Sequence, residues 1–336
     1  MNPRKAGRNV RLTTACMVLA LFTGVATAIP AAAQGWKPEP FVEIVVGAGP
    51  GGGNDNTART VQKILQEKRI VTVPINVINK AGAGGAIALN YLNQHRGHGE
   101  YLGLTSNTLL TNHITGKSPL GYGDFTPLAI LINEYMAFTV KGDSPIKTGR
   151  DLIARLKKDP GSLVLGISSV LGNINHISFA TVAREIGIDP KAVKTVAFKS
   201  SGQSITALLG GHVDLVVGPT SIAAPYLQSG QLRTLAVTSG KRRPGVFVAV
   251  PTWKELGVAA VIDNWRGVIG PKEITQQQIA FWDNAFRTLF QQDEWKKDVE
   301  RNYWDSAALL SKDSAKYLES QYRELRRALV ELEMAN

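Results

Sequence analysis

Cysteine is almost absent: Cys16 is the only thiol in 336 residues. It lies in a segment with the layout of a secretory signal. Arg4, Lys5, Arg8 and Arg11 form a basic start, an apolar core runs from Ala15 to Val25, and Ala26-Thr27-Ala28 and Ala31-Ala32-Ala33 offer small-x-small cleavage sites. Cleavage is expected at the later site, so residues 1–33 form the signal and the protein acts in the periplasm. A membrane anchor is the rival reading. It needs ~20 apolar residues, and Gly24, Thr27 and Pro30 interrupt this stretch. Because Cys16 precedes the apolar core, it does not resemble a lipid-attachment site. Its loss leaves a mature chain without disulfides, thiolate catalysis or thiolate metal sites.

Other features are missing too. No later stretch is long enough to span a membrane, and no repeat or low-complexity tract follows Gln34. Acidic and basic residues are interspersed, with no polybasic stripe, so nucleic acid is not an expected partner. Removing the four signal bases from the net charge of +11 leaves +7, which is either ordinary surface charge or a field that favours small anionic ligands. About 300 residues suffice for a core without cross-links, usually as two domains.

Glycine is abundant where it matters. The β-branched run Phe41–Val46 flows into Gly47-Ala48-Gly49-Pro50-Gly51-Gly52-Gly53-Asn54-Asp55 and then a helical pattern. A strand, a loop stripped of side chains and a helix N-terminus form an anion cradle: backbone N–H groups are accessible and the helix dipole favours negative charge. The alternation of strand and helix continues. Strands are expected at 42–46, 73–78, 101–105, 128–132, 137–140, 163–167, 193–197, 213–217 and 232–238. Helices are expected at 55–67, 82–93, 149–158, 174–186 and 203–209, with a short one opening at 106–108. This is an α/β pattern of mostly parallel sheets covered by helices on both faces. A C-terminal helix capped by Ser311 places Leu318, Tyr322, Leu325, Leu329 and Leu332 on one face, expected to dock on its own domain. Ligands of such sheets bind beyond the carboxyl ends of the strands. Four of those ends carry small, polar or Gly-rich loops, at 47–54, 105–108, 168–173 and 218–221, and two sheets facing across a cleft would unite them.

Gly47-x-Gly49-x-x-Gly52 matches a dinucleotide fingerprint, but the acidic residue needed at the end of the second strand is replaced by Asn79-Lys80. No Gly-Lys-Ser/Thr follows for a P-loop. His95-x-x-His98 lacks a third ligand and reads as a solvated turn. Ser168-Ser169 has no nucleophile elbow around it and suits hydrogen bonding to a bound oxyanion. Asp55 stands alone beside a helix start, without the second carboxylate of acid–base pairs. His176 falls in the first turn of a helix, as a ligand donor or a local cap. Arg266 can pair with a carboxylate through two N–H groups, or stack on Trp265.

The chain also resembles a family: the solute-binding receptors of tripartite tricarboxylate transporters, the Bug or TctC-type periplasmic binding proteins. The resemblance runs from about Phe41 to the C-terminus. It rests on Gly51-Gly52-Gly53-Asn54-Asp55 with Ala58-Arg59, on Asn79-Lys80-Ala81-Gly82-Ala83-Gly84-Gly85, and on Asp124-Phe125-Thr126-Pro127. Ala207-Leu208-Leu209-Gly210-Gly211-His212-Val213-Asp214, Leu232-Arg233-Thr234-Leu235-Ala236-Val237-Thr238-Ser239 and Val250-Pro251-Thr252 complete it. Two departures stand out: Asn54 where the family often has Thr, and Phe198-Lys199-Ser200 where it often has Tyr-Lys-Gly. Asn264-Trp265-Arg266-Gly267 resembles the variant of citrate-type members, which favours a di- or tricarboxylate.

The resemblance implies a type II periplasmic-binding fold that closes on a carboxylate and hands it to an ion-gradient-driven membrane permease. The expected domains are 34–139 plus 253–336, and 140–252, with crossings near Val140-Lys141 and Pro251-Thr252. Gly49, Pro50, Gly51, Gly52, Gly53, Asn54, Asp55, Ser106, Asn107 and Thr108 are the expected ligand residues of the first domain. Ser168, Ser169, Gly172, Asn173, His176, Thr220 and Ser221 are those of the second, with Arg266 as a charge partner. No metal, cofactor or catalytic residue is expected, and the protein is expected to be a monomer. An exported nicotinamide oxidoreductase or hydrolase, and a receptor serving a sensor kinase, are the competing functions.

Overall fold

The computed structural model describes residues 35–168 and 170–335. The segment expected to be a signal, with Cys16, and Ser169 lie outside the described residues. Residues 36–335 belong to one compact unit.

The elements follow in chain order. The strand β1 (Val42–Val46), helix α1 (Gly53–Glu67), β2 (Ile75–Asn79), α2 (Ala86–Asn93), β3 (Tyr101–Ser106) and α3 (Thr108–Ile114) come first. A long strand, β4 (Thr126–Lys141), leads into α4 (Gly149–Lys158), β5 (Val164–Ser168), α5 (Ile174–Glu185), β6 (Lys194–Phe198), α6 (Ser201–Leu209), β7 (Leu215–Pro219), α7 (Thr220–Gln228) and β8 (Leu232–Val237). The chain ends with β9 (Asp263–Gly270), α8 (Gln276–Gln291), α9 (Asp293–Arg301), β10 (Asp305–Leu310) and α10 (Ser311–Glu331).

The strand order is β2-β1-β3-β9-β4-β7-β5-β6, with β10 and β8 also paired to β4. The sheet is mixed rather than mostly parallel. β1 pairs in parallel with β2 and β3, and β5 with β6 and β7, through helical crossovers. Every strand that pairs β4 is antiparallel to it, and β9 is antiparallel to β3. The reason lies in β4 itself. The two strands expected at 128–132 and 137–140 are one continuous sixteen-residue strand. Residues 126–135 pair β9, and 136–141 pair β7 and β8, so the partners change at Tyr135/Met136. The return passes Thr238, whose N–H reaches Met136 O and whose carbonyl accepts from Ile262 N–H. A half-sheet of β2, β1, β3, β9, β10 and the start of β4 thus adjoins one of β6, β5, β7, β8 and its end.

Burial follows period and composition. β1 buries Val42, Ile44, Val45 and Val46 because helices cover both faces of its sheet. α4 starts with a capping box, Thr148 Oγ1 accepting from Asp151 N–H at 3.1 Å and Asp151 Oδ2 from Thr148 N–H at 2.9 Å. α10 docks on β4 and α3 through Leu318, Leu325 and Leu329, while Leu332 just beyond it is also buried and Tyr322 hydrogen-bonds His113 Nδ1 at 2.9 Å. Its N-cap is Leu310 rather than Ser311, whose N–H and hydroxyl both reach Asp283. Among the described residues no helix is long and apolar enough to cross a membrane.

Candidate functional site

A cleft of about 830 Å³, open solvent included, lies where the carboxyl ends of the parallel strands converge. All four expected loops reach it. Gly52, Gly53 and Asn54 come from the first, Ser106 and Thr108 from the second, Ser168 and Asn173 from the third, and Pro219 from the fourth. Asn54 Nδ2 lies 3.4 Å from Ser106 Oγ, joining the first two loops. From the other half, α6 closes against them: a methyl on Gly52 would lie 3.6 Å from Ser200 Cβ.

Gly49, Pro50, Gly51, Asp55, Asn107, Gly172, His176, Thr220 and Ser221 are not among the residues that line the cleft. Asp55 shapes the first loop, accepting from Gly51 N–H at 3.0 Å, Arg59 Nε at 3.0 Å and Asn79 Nδ2 at 2.9 Å. Burial pushes its carboxyl up, but these hydrogen bonds and the Arg59 charge outweigh that and hold it below the ordinary carboxylate value. Asn79, where a dinucleotide site carries its acid, instead donates to Asp55 and to Ala48 O. His176 is likewise local: Nδ1 accepts from Gly172 N–H at 3.0 Å. Burial, then the nearby Lys117 charge, pushes the imidazole down to about 4. His95 stacks on Tyr101 with ring centres 3.6 Å apart, and among the described residues no group of three His, Cys, Asp or Glu converges as a metal site.

Sequence reasoning missed several lining residues. Gly84 and Gly85 enter from the start of α2, and Asn175, Lys199, Ser200, Ser201 and Asn264 from elsewhere. A signal existed for some. Gly82-Ala83-Gly84-Gly85 repeats the glycine-then-helix pattern of the first loop, and Ser200 follows a strand as a helix cap.

Arg266 lines the cleft but is already engaged. It is fully buried and ion-paired with the fully buried Glu134 of β4. Its Nε donates to Asn54 Oδ1 and its Nη1 to Thr57 Oγ1, each at 3.2 Å. The guanidinium lies over Trp304, 5.8 Å from the ring centre, rather than on Trp265, which is buried edge-on to Tyr317. Arg266 therefore holds the start of α1 in place. Only glycine fits at 53, because a Cβ there would lie 2.8 Å from Arg266 Cζ and overlap its Nη2.

The helix termini separate into two kinds. The first N–H groups of any helix lack intrahelical partners. α5 is capped by Asn173 Oδ1, which accepts from His176 N–H at 3.0 Å, and α6 by Ser200 Oγ, which accepts from Gln203 N–H at 3.3 Å. α7 has no cap of its own, but Glu134 Oε1 accepts from Ser221 N–H at 2.8 Å. An internal carboxylate thus occupies the α7 terminus. α1 and α2 start from Gly52 and Gly85 without any side-chain cap. The first loop, at Gly47, packs against the start of α2, since a Cβ on Gly47 would lie 2.8 Å from Gly85 Cα. The cleft therefore offers two helix starts without side-chain caps on one wall, although a 3₁₀ turn gives the first N–H of α2, that of Ala86, to Ala83 O, and the hydroxyls of Ser168 and Ser201 on the other.

The model of the tripartite tricarboxylate transporter family receptor matches residues 57–333. The chain belongs to this receptor family. Among curated relatives of the receptor, the UPF0065 protein in the gbd 5' region of Cupriavidus necator is 30% identical over 288 residues, covering 83% of this chain and 85% of that one. BugT of Bordetella pertussis is 28% identical over 269 residues, covering 78% and 80%. Solved structures share the fold. A Rhodopseudomonas palustris protein with adipate superposes with a TM-score of 0.81 at 23% identity, covering 89% of this chain and 99% of that one. MatC from Rhodopseudomonas palustris with bound malate gives 0.78 at 21%, covering 87% and 99%.

Proposed function

We propose that this receptor is exported to the periplasm, captures a small carboxylate in the cleft and delivers it to an ion-gradient-driven membrane permease. One observation carries the reading: the glycine starts of α1 and α2, without side-chain caps, face the hydroxyls of Ser168 and Ser201 of the other half across one cleft. Such donors hold an oxyanion by charge-assisted hydrogen bonds. The relatives bound to adipate and malate, and the family's receptor role, support the same chemistry.

In this reading residues 1–33 are removed on export, and residues 34–139 plus 253–336 close on 140–252. The change of β4 partners at Tyr135/Met136 supports a hinge beside the crossing inferred near Val140-Lys141. A ligand favours the closed form because it touches both halves. The receptor works as a monomer, without cofactor or catalysis.

Thermal unfolding of the mature protein against malate, adipate, citrate and NAD tests this. A ligand of the folded state raises the midpoint by mass action. Stabilisation by a carboxylate that is recovered unchanged is expected. A shift with NAD alone, or turnover of the carboxylate, would overturn the receptor.

A further inference from the structure

We propose that an asparagine in each half, Asn54 and Asn175, fixes a serine hydroxyl, that of Ser106 and that of Ser168, as a hydrogen-bond donor into the cleft, and that these pairs select an ionised carboxylate over its amide. The proposal rests on the carboxylate-receptor reading and names the residues that enforce it.

The amide of Asn54 has one permitted orientation. Arg266 Nε can only donate, so the atom that meets it at 3.2 Å is Asn54 Oδ1, and Nδ2 turns to Ser106 Oγ at 3.4 Å. Arg266 is itself fully buried and held by Glu134 and Thr57 Oγ1, which fixes the direction of its donors. Ser106 therefore accepts from Asn54. Its other neighbour is Thr108 Oγ1, 3.3 Å away. Whichever of these two hydroxyls donates to the other, one hydroxyl proton is left without an acceptor among the described residues. Ser106 and Thr108 both line the cleft.

The other half repeats the device with different parts. Asn175 Nδ2 donates to Val217 O at 2.8 Å, and a carbonyl oxygen can only accept, so this amide is fixed too. Nδ2 also reaches Ser168 Oγ, at 3.2 Å. Ser168 lines the cleft, and its own proton has no acceptor among the described residues. Ser106 and Ser168 are the last residues of β3 and β5, where ligands of parallel sheets sit.

Acidic side chains are kept out of the same space. Among the described residues that line the cleft there is no Asp or Glu. Two neighbouring acids are engaged elsewhere: Glu134 with Arg266 and the Ser221 N–H, and Asp55 with Gly51, Arg59 and Asn79. A carboxylate only accepts, so either of its oxygens satisfies the serine donors. A primary amide brings N–H groups of its own, and a donor facing a donor leaves both desolvated and unpaired.

Calorimetric titration of the mature protein with malate, adipate and citrate, each beside its neutral amide (malamide, adipamide or citramide), tests the proposal. A carboxylate that binds is expected to do so about tenfold or more tightly than its amide. S106A and S168A should each weaken that carboxylate about 10- to 100-fold and the amide less than tenfold, because hydrogen bonds to a charged group are the stronger ones. These two variants leave every charge in place, so they separate hydrogen-bond polarity from the overall field. The positioning role is read from E134M/R266M, which frees Asn54 to turn and should lower the carboxylate-to-amide ratio about threefold or more. N54T, whose hydroxyl can accept from Arg266 and still donate, should keep that ratio. Equal affinity for carboxylate and amide, equal losses of both in S106A and S168A, or an unchanged ratio in folded E134M/R266M would overturn the proposal and leave the receptor reading in place. If none of the three carboxylates binds, the receptor reading falls and the proposal with it. The wild-type and serine-variant series decide even if the double variant does not fold.

Discussion

The two walls of the cleft bring helix N-termini to the same space by opposite means. On the α1 wall, charged groups hold a bare backbone. Asp55 gathers Gly51, Arg59 and Asn79, while Arg266 and Glu134 form a fully buried pair under Gly53. On the α5–α6 wall, neutral side chains cap the helices themselves, through Asn173 and Ser200. The difference shows how a protein keeps a polar terminus vacant for a ligand. A cap satisfies the terminal N–H groups and removes them from use. A scaffold acting from behind fixes the backbone and leaves those groups open.

The largest effect separating the walls is expected from the buried pair. E134A strands Arg266 in the interior and should cost about 3–5 kcal/mol in urea unfolding, whereas replacing both partners by methionine should cost much less. If E134A costs no more than the loss of a neutral cap, the contrast between walls disappears.

Next is the open terminus. Gly52 has ordinary φ of −86° and room for a Cβ, so G52L should fold normally. Its side chain would project toward Ser200 and is expected to weaken carboxylate binding about 100-fold, or about 2.7 kcal/mol. Unchanged affinity by calorimetry would remove this terminus from the site.

His176 sharpens the comparison through pH. Its folded value of about 4 lies below the ordinary 6.5, so the unfolded chain binds the proton more readily. The stability linked to neutral His176 is present above pH 6.5 and is lost as pH falls toward 4, by roughly 2–3 kcal/mol. The melting temperature of H176Q should therefore fall less than that of wild type across this window. Parallel curves would place the acid sensitivity elsewhere.

The smallest effect belongs to a neutral cap. S200A should lose about 1 kcal/mol in urea unfolding, by freeing the Gln203 N–H at the start of α6. A loss rivalling E134A would equalise the two walls.

Local order was largely legible in the sequence. β1 and α4 have the bounds expected from the alternation of strand and helix, and the glycine loop does open a helix at the cleft. These signals lie within a few residues of what they specify. The division of 126–141 into two strands failed because the strand persists through a change of partners, which leaves no break in its own pattern. Thr220 and Ser221 had the composition of an anion loop, yet the place for an anion there is taken by Glu134.

The sequence by itself determined the alternation of strands and helices, the glycines at 47–53 and the loops that gather at the strand ends. Tertiary structure decided which helix termini stay open. Glu134 meets Ser221 across 87 residues and Arg266 across 132, separations at which no local pattern carries information. Whether a terminus is filled depends on which side chain folding brings to it, because a buried carboxylate satisfies an N–H group as fully as a ligand would.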